Sequence, residues 1–72
     1  MERKIVIDTD RKQGQLFKVH EYKGCFTAYR IDVGIFLDDS RKIGEARSLE
    51  DAITIIKTSV SGTVRNVQIK NW

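Results

Sequence analysis

The stretch QLFKVHEYKGCFTAYRI, residues 15–31, is where the reading of the fold begins. Two runs rich in aromatic and β-branched residues flank Lys23-Gly24, and the glycine can supply the positive φ that a two-residue hairpin turn requires. A turn there sets the register. Tyr22 faces Cys25, His20 faces Thr27, Lys18 faces Tyr29 and Leu16 faces Ile31. The alternate rungs place Glu21 opposite Phe26, Val19 opposite Ala28 and Phe17 opposite Arg30. Successive strand side chains point to opposite faces, so Phe17, Val19, Phe26 and Ala28 share one face, the expected core. Lys18, His20, Tyr22, Thr27 and Tyr29 share the other and are expected to look outward. A slip of one residue would exchange the two faces, so the turn carries the inference.

On the N-terminal side, Ile5-Val6-Ile7 predicts a first strand, closed by the polar run Thr9 to Gly14. On the C-terminal side, Val33, Ile35, Phe36 and Leu37 form an apolar segment interrupted by Gly34. Asp38-Asp39-Ser40-Arg41 reads as a polar turn, and Lys42 to Arg47 as a fourth strand that Gly44 weakens.

Ser48-Leu49-Glu50-Asp51 has the form of a helix start, a serine cap followed by acids that suit the positive end of the helix dipole. Leu49, Ala52, Ile53, Ile56 and Val60 then recur at helical spacing, and Gly62 is placed as a stop. The β-branched residues Ile53, Thr54, Ile55, Ile56, Thr58 and Val60 favour a strand instead. The cap and the apolar stripe decide for helix. Val64 to Lys70 completes the chain as a strand, with Val67 and Ile69 inward and Asn66, Gln68 and Lys70 outward. The expected architecture is α+β: a mainly antiparallel sheet of four to five strands with one helix on one face, in the order β-β-β-β-α-β. The last strand could pair beside the first, antiparallel, or beside the fourth, parallel through a right-handed crossover.

At 72 residues the chain predicts a single domain over 1–72, with little room for a deep catalytic cleft. Cys25 is the only cysteine, which excludes an intramolecular disulfide and a thiolate metal cage and leads to the expectation of a reducing, cytoplasmic setting. The apolar run at residues 5–7 is too short for a signal peptide or a membrane span. The net charge is +3. Residues 1–51 hold equal numbers of acids and bases, so the excess comes from Lys57, Arg65 and Lys70.

No catalytic residues are assigned. A Cys25–His20 dyad would need hydrogen-bond reach and a third group to orient the base. Asp8, Asp10, Asp38 and Asp39 are explained as turn residues rather than as a converging metal site. Neither a phosphate loop nor a nucleophile elbow is present in the sequence. The expectation is therefore a non-catalytic domain without cofactor or metal. It acts through protein–protein contacts, including self-association as a homodimer. The alternative is nucleic-acid binding on a basic and aromatic sheet face. The candidate binding residues are Lys18, His20, Tyr22, Thr27 and Tyr29 of the outer hairpin face, together with Arg65, Lys70 and Trp72 of the C-terminal end. Tyrosines can stack on bases and lysines can meet phosphates, which is the chemistry of single-strand recognition on sheets.

Residues Phe26-Thr27-Ala28-Tyr29-Arg30-Ile31, Lys42-Ile43-Gly44 and Ser48-Leu49-Glu50-Asp51-Ala52 together form a pattern similar to that of the AP2 and integrase-arm DNA-binding modules. The resemblance spans residues 26–52. It has no counterpart for the tryptophan of those modules' first strand or for the dense arginines of their reading face. It implies a three-stranded sheet laid in a DNA major groove.

Overall fold

The computed structural model describes residues 1–32 and 39–71. Within them the chain forms strands β1 (Glu2–Thr9), β2 (Gln15–Tyr22), β3 (Cys25–Asp32) and β4 (Asp39–Ala46), helix α1 (Leu49–Ser59) and strand β5 (Val64–Asn71). The strands make one open sheet in the order β4-β3-β2-β1-β5, with every neighbouring pair antiparallel. The last strand therefore pairs with the first, and the crossover beside β4 is not used.

The central hairpin has the expected register from Phe17–Arg30 through Tyr22–Cys25. Its turn places Lys23 at φ 50° and Gly24 at φ 75°. Two successive positive φ values match the right-handed twist of the flanking strands, which is why such a short connection closes without splaying them. Phe17, Val19 and Ala28 are fully buried, and Phe26 packs against them.

Two boundaries differ from the sequence reading. Strand β1 extends well beyond Ile5–Ile7, because antiparallel partners on both sides hold its backbone. Asp39, Ser40 and Arg41 are not a turn: they begin β4, paired with Asp32, Ile31 and Arg30. Backbone pairing to β3 outweighs the turn preference of these polar residues, whose side chains remain exposed. The apolar segment from Val33 to Leu37, and Asp38, lie outside the described residues.

Helix α1 begins where the cap predicts it. The Asp51 backbone N–H donates to Ser48 Oγ at 3.1 Å, and Ser48 is extended, at φ −143°. Ala52 and Ile56 are fully buried, while Leu49, Ile53 and Val60 pack at the margin of the core. The β-branched content is tolerated because this stripe closes the core over Ile5, Ile7, Phe17 and Val19. The helix stops at Ser59, with Val60 extended as its C-cap, so Gly62 belongs to the following turn.

The helix lies chiefly over β4 and β3, and reaches β2 only slightly. Gly44 permits this approach, since a Cβ built there would stand 3.0 Å from Ile55 Cγ2. Coverage thins toward β5. Ile69, expected inward, does lie on the helix side opposite Ile5 but remains 50% exposed. At the other end of β1, Asp10 accepts from the Thr63 N–H at 2.8 Å and donates its own N–H to the Thr63 carbonyl at 3.1 Å, which fastens the entry to β5.

Replacing Ser48 with Ala removes the cap and is expected to lower unfolding stability by about 1 kcal/mol in denaturant titrations. Gly44→Val is expected to cost about 1–3 kcal/mol through overpacking against Ile55. Combining it with Ile55→Ala should recover part of that loss, a coupling that a double-mutant cycle measures.

Candidate binding surfaces

The sheet face away from the helix carries Lys18, His20, Tyr22, Thr27 and Tyr29 together, as the alternation predicts. Tyr22 is 63% exposed, whereas Lys18, His20, Thr27 and Tyr29 are partly buried. The Lys18 ammonium stands 5.0 Å from the centre of the Tyr29 ring and 3.6 Å from Glu2 Oε1. The ring quadrupole and the carboxylate both attract it, and its side chain is 22% exposed. The Lys23 ammonium lies 5.4 Å from the Tyr22 ring.

The other candidates separate. Lys70 joins this face, because it pairs with Lys4 on β1. Arg65 does not. It falls at the register shift where Thr9 pairs with Val64 and Asp8 with Asn66, so no β1 residue stands opposite it. Trp72 lies outside the described residues. The sequence reading missed Lys4 and Lys42, which flank the predicted set on β1 and β4. Only the pairing of those outer strands reveals their place, and no local pattern points to it.

The thiol and the imidazole take different partners. Cys25 Sγ is 4.0 Å from Thr27 Oγ1 and 3.9 Å from Glu45 Oε2. His20 Nδ1 is 3.5 Å from Glu2 Oε1. The aspartates bind backbone: Asp8 accepts from the Gly14 N–H at 2.7 Å, as Asp10 does from Thr63. Among the described residues no three His, Cys, Asp or Glu side chains are grouped to hold a metal ion. No described helix is long and apolar enough to cross a membrane.

At the β4 edge of the same face, Lys42 and Glu45 form an exposed ion pair. The hydrogen bond between them lowers the Glu45 pKa below the usual carboxylate value and raises that of Lys42 above the usual lysine value.

A second surface lies on the helix side. Where the cover of α1 thins, Leu49, Ile53 and Thr54 of the helix and Val67 and Ile69 of β5 border an open groove of about 590 Å³, with Glu50 and Lys57 at its rim. Its β5 wall is an edge strand, with no further strand beside it among the described residues.

No family model, curated protein or solved structure matches the chain, so the partial likeness to DNA-binding modules over residues 26–52 gains no support from those comparisons.

The Glu45 carboxylate is expected to titrate below the ordinary glutamate range in an NMR pH series, and to return to it in Lys42→Met. With a lowered folded pKa, its contribution to stability is present above the unfolded value and disappears as pH falls through the folded midpoint. Screening at this exposed site keeps that contribution small.

Proposed function

We propose that this is a non-catalytic interaction domain that acts through protein–protein contacts along β5, with a second copy of the chain as its partner, in a cytoplasmic setting. The observation that carries the reading is the β5 flank, which no strand covers among the described residues, with Ile69 half exposed beside an apolar groove. An edge strand offers unpaired N–H and C=O groups to another strand unless something blunts it. The opposite edge, β4, is blunted: Arg41, Lys42 and Glu45 are exposed along it, and a register shift interrupts its pairing near Ile43. From Asn66 to Asn71, β5 pairs regularly with β1, and the chain contains no proline to block a further partner.

The β5 sequence is also complementary to itself. Antiparallel pairing of two copies about a two-fold axis at Gln68 places Val67 opposite Ile69, Asn66 opposite Lys70 and Arg65 opposite Asn71. The apolar residues then meet on the helix side, and no like charges stand directly opposite one another. The interface is isologous, as closed two-fold dimers require.

Light scattering over a wide concentration range is expected to show a monomer–dimer equilibrium. Ile69→Lys, which sets a charge against Val67 of the second copy, should shift it to monomer while the far-ultraviolet circular dichroism is retained. A wild-type protein that stays monomeric at millimolar concentration would refute the reading.

A further inference from the structure

We infer that the open sheet face binds single-stranded nucleic acid along a row of side chains that crosses all five strands. The row is read from the pairing alone: Lys70 on β5 stands opposite Lys4 on β1, Lys4 opposite Lys18 on β2, Lys18 opposite Tyr29 on β3, and Tyr29 opposite Lys42 on β4. With adjacent strands about 4.8 Å apart, these five positions span about 19 Å at right angles to the strands.

Such a row is costly to the fold. Like charges directly opposite one another on a sheet are destabilising, and here three lysines occupy consecutive strands. Lysine on an edge strand guards against unwanted pairing, which accounts for Lys42 on the blunted β4 edge. It does not account for Lys4 and Lys18, because β1 and β2 are interior strands. Lys18 is eased by Glu2 and Tyr29, and Lys42 by Glu45. Among the described residues neither Lys4 nor Lys70 has an acidic partner within ion-pair distance. An extended anion laid across the strands would supply what these two lack.

The borders of the row indicate what kind of anion. On one side run Val6 and Leu16, paired with each other, with Ile31 farther along on β3. All three are partly exposed, and with Tyr29 they form an apolar shelf beside the charges. On the other side, Glu2 and Glu45 discourage an anion from spreading that way. A charged backbone on the lysines with flat apolar groups on the shelf and on the Tyr29 ring describes a strand with unpaired bases. A duplex keeps its bases stacked inside and would leave the shelf unused. An acidic peptide in extended form would seek an edge strand for its backbone hydrogen bonds, and this face presents none. The site is independent of self-association through β5, since it needs only the five strands of one chain.

The test is fluorescence anisotropy of labelled single-stranded DNA and RNA oligonucleotides titrated with the full chain at low salt. Duplex DNA and polyglutamate serve as competitors. The logarithm of affinity is expected to fall with the logarithm of salt concentration at a slope of about −3, for four lysines at about 0.7 each. Lys4→Gln or Lys70→Gln should each reduce that slope by about 0.7 and weaken binding. Each should also leave the protein as stable as before or more so, which separates loss of binding from loss of fold. Tyr29→Ala is expected to weaken binding about 5- to 150-fold. Arg65→Gln and Lys57→Gln, which remove charge away from the row, should change it little. Absence of binding at low salt would overturn the inference. So would equal effects from the Arg65 and Lys57 variants, or equal affinity for duplex or polyglutamate.

Discussion

Phe17, Val19 and Ala28 on the central hairpin, Ile5 and Ile7 on β1, and Ala52 and Ile56 on α1 are buried against one another in a single cluster, and the remaining structure is arranged around it. A chain of this length can bury only a modest core, so a lone helix must cover the sheet by itself. It achieves close contact at one side, where Gly44 lets Ile55 approach the β4 backbone. That choice leaves the β5 side of the same face thinly covered and the opposite face open. Both candidate surfaces follow from this asymmetry rather than from any dedicated loop.

The two surfaces differ in physical character. The β5 flank offers backbone hydrogen-bond groups and half-exposed aliphatic side chains, and suits a partner that extends the sheet. The open face has no free backbone. It offers lysines and a tyrosine crossing the strands, and suits a partner whose charge is spread along a line. A protein partner on the proposed β5 interface would gain its energy mainly by removing apolar surface from water, and a polyanion on the proposed row by releasing counterions. The two proposed contacts would therefore respond oppositely to salt. The two surfaces lie on different parts of the sheet, so the two proposals are compatible in one chain.

Much of the framework was legible before the fold was known. The Lys23-Gly24 turn is local, and it sets which side chains of residues 17–30 share a face. Ser48 and the stripe from Leu49 to Val60 are also local, and they prevailed over a β-branched composition that favours extended chain. Asp39 to Arg41 have the composition of a turn yet form strand, because turn propensity is weak against a ladder of backbone hydrogen bonds to β3. Ile69 was read as inward from alternation alone. Alternation reports the side of the sheet, not whether anything covers it.

The sequence by itself determined the hairpin register, the helix start and the grouping of Lys18, His20, Tyr22, Thr27 and Tyr29. These depend on contacts between residues close along the chain. Only the tertiary structure decided that β5 lies beside β1. Both that pairing and a parallel pairing beside β4 satisfy its alternation, and the choice rests on what the assembled sheet buries. The same decision brought Lys70 next to Lys4 and left Arg65 at a bulge. It turned one hairpin tyrosine and scattered lysines into a row across five strands, a relation between residues too distant along the chain for local pattern to express.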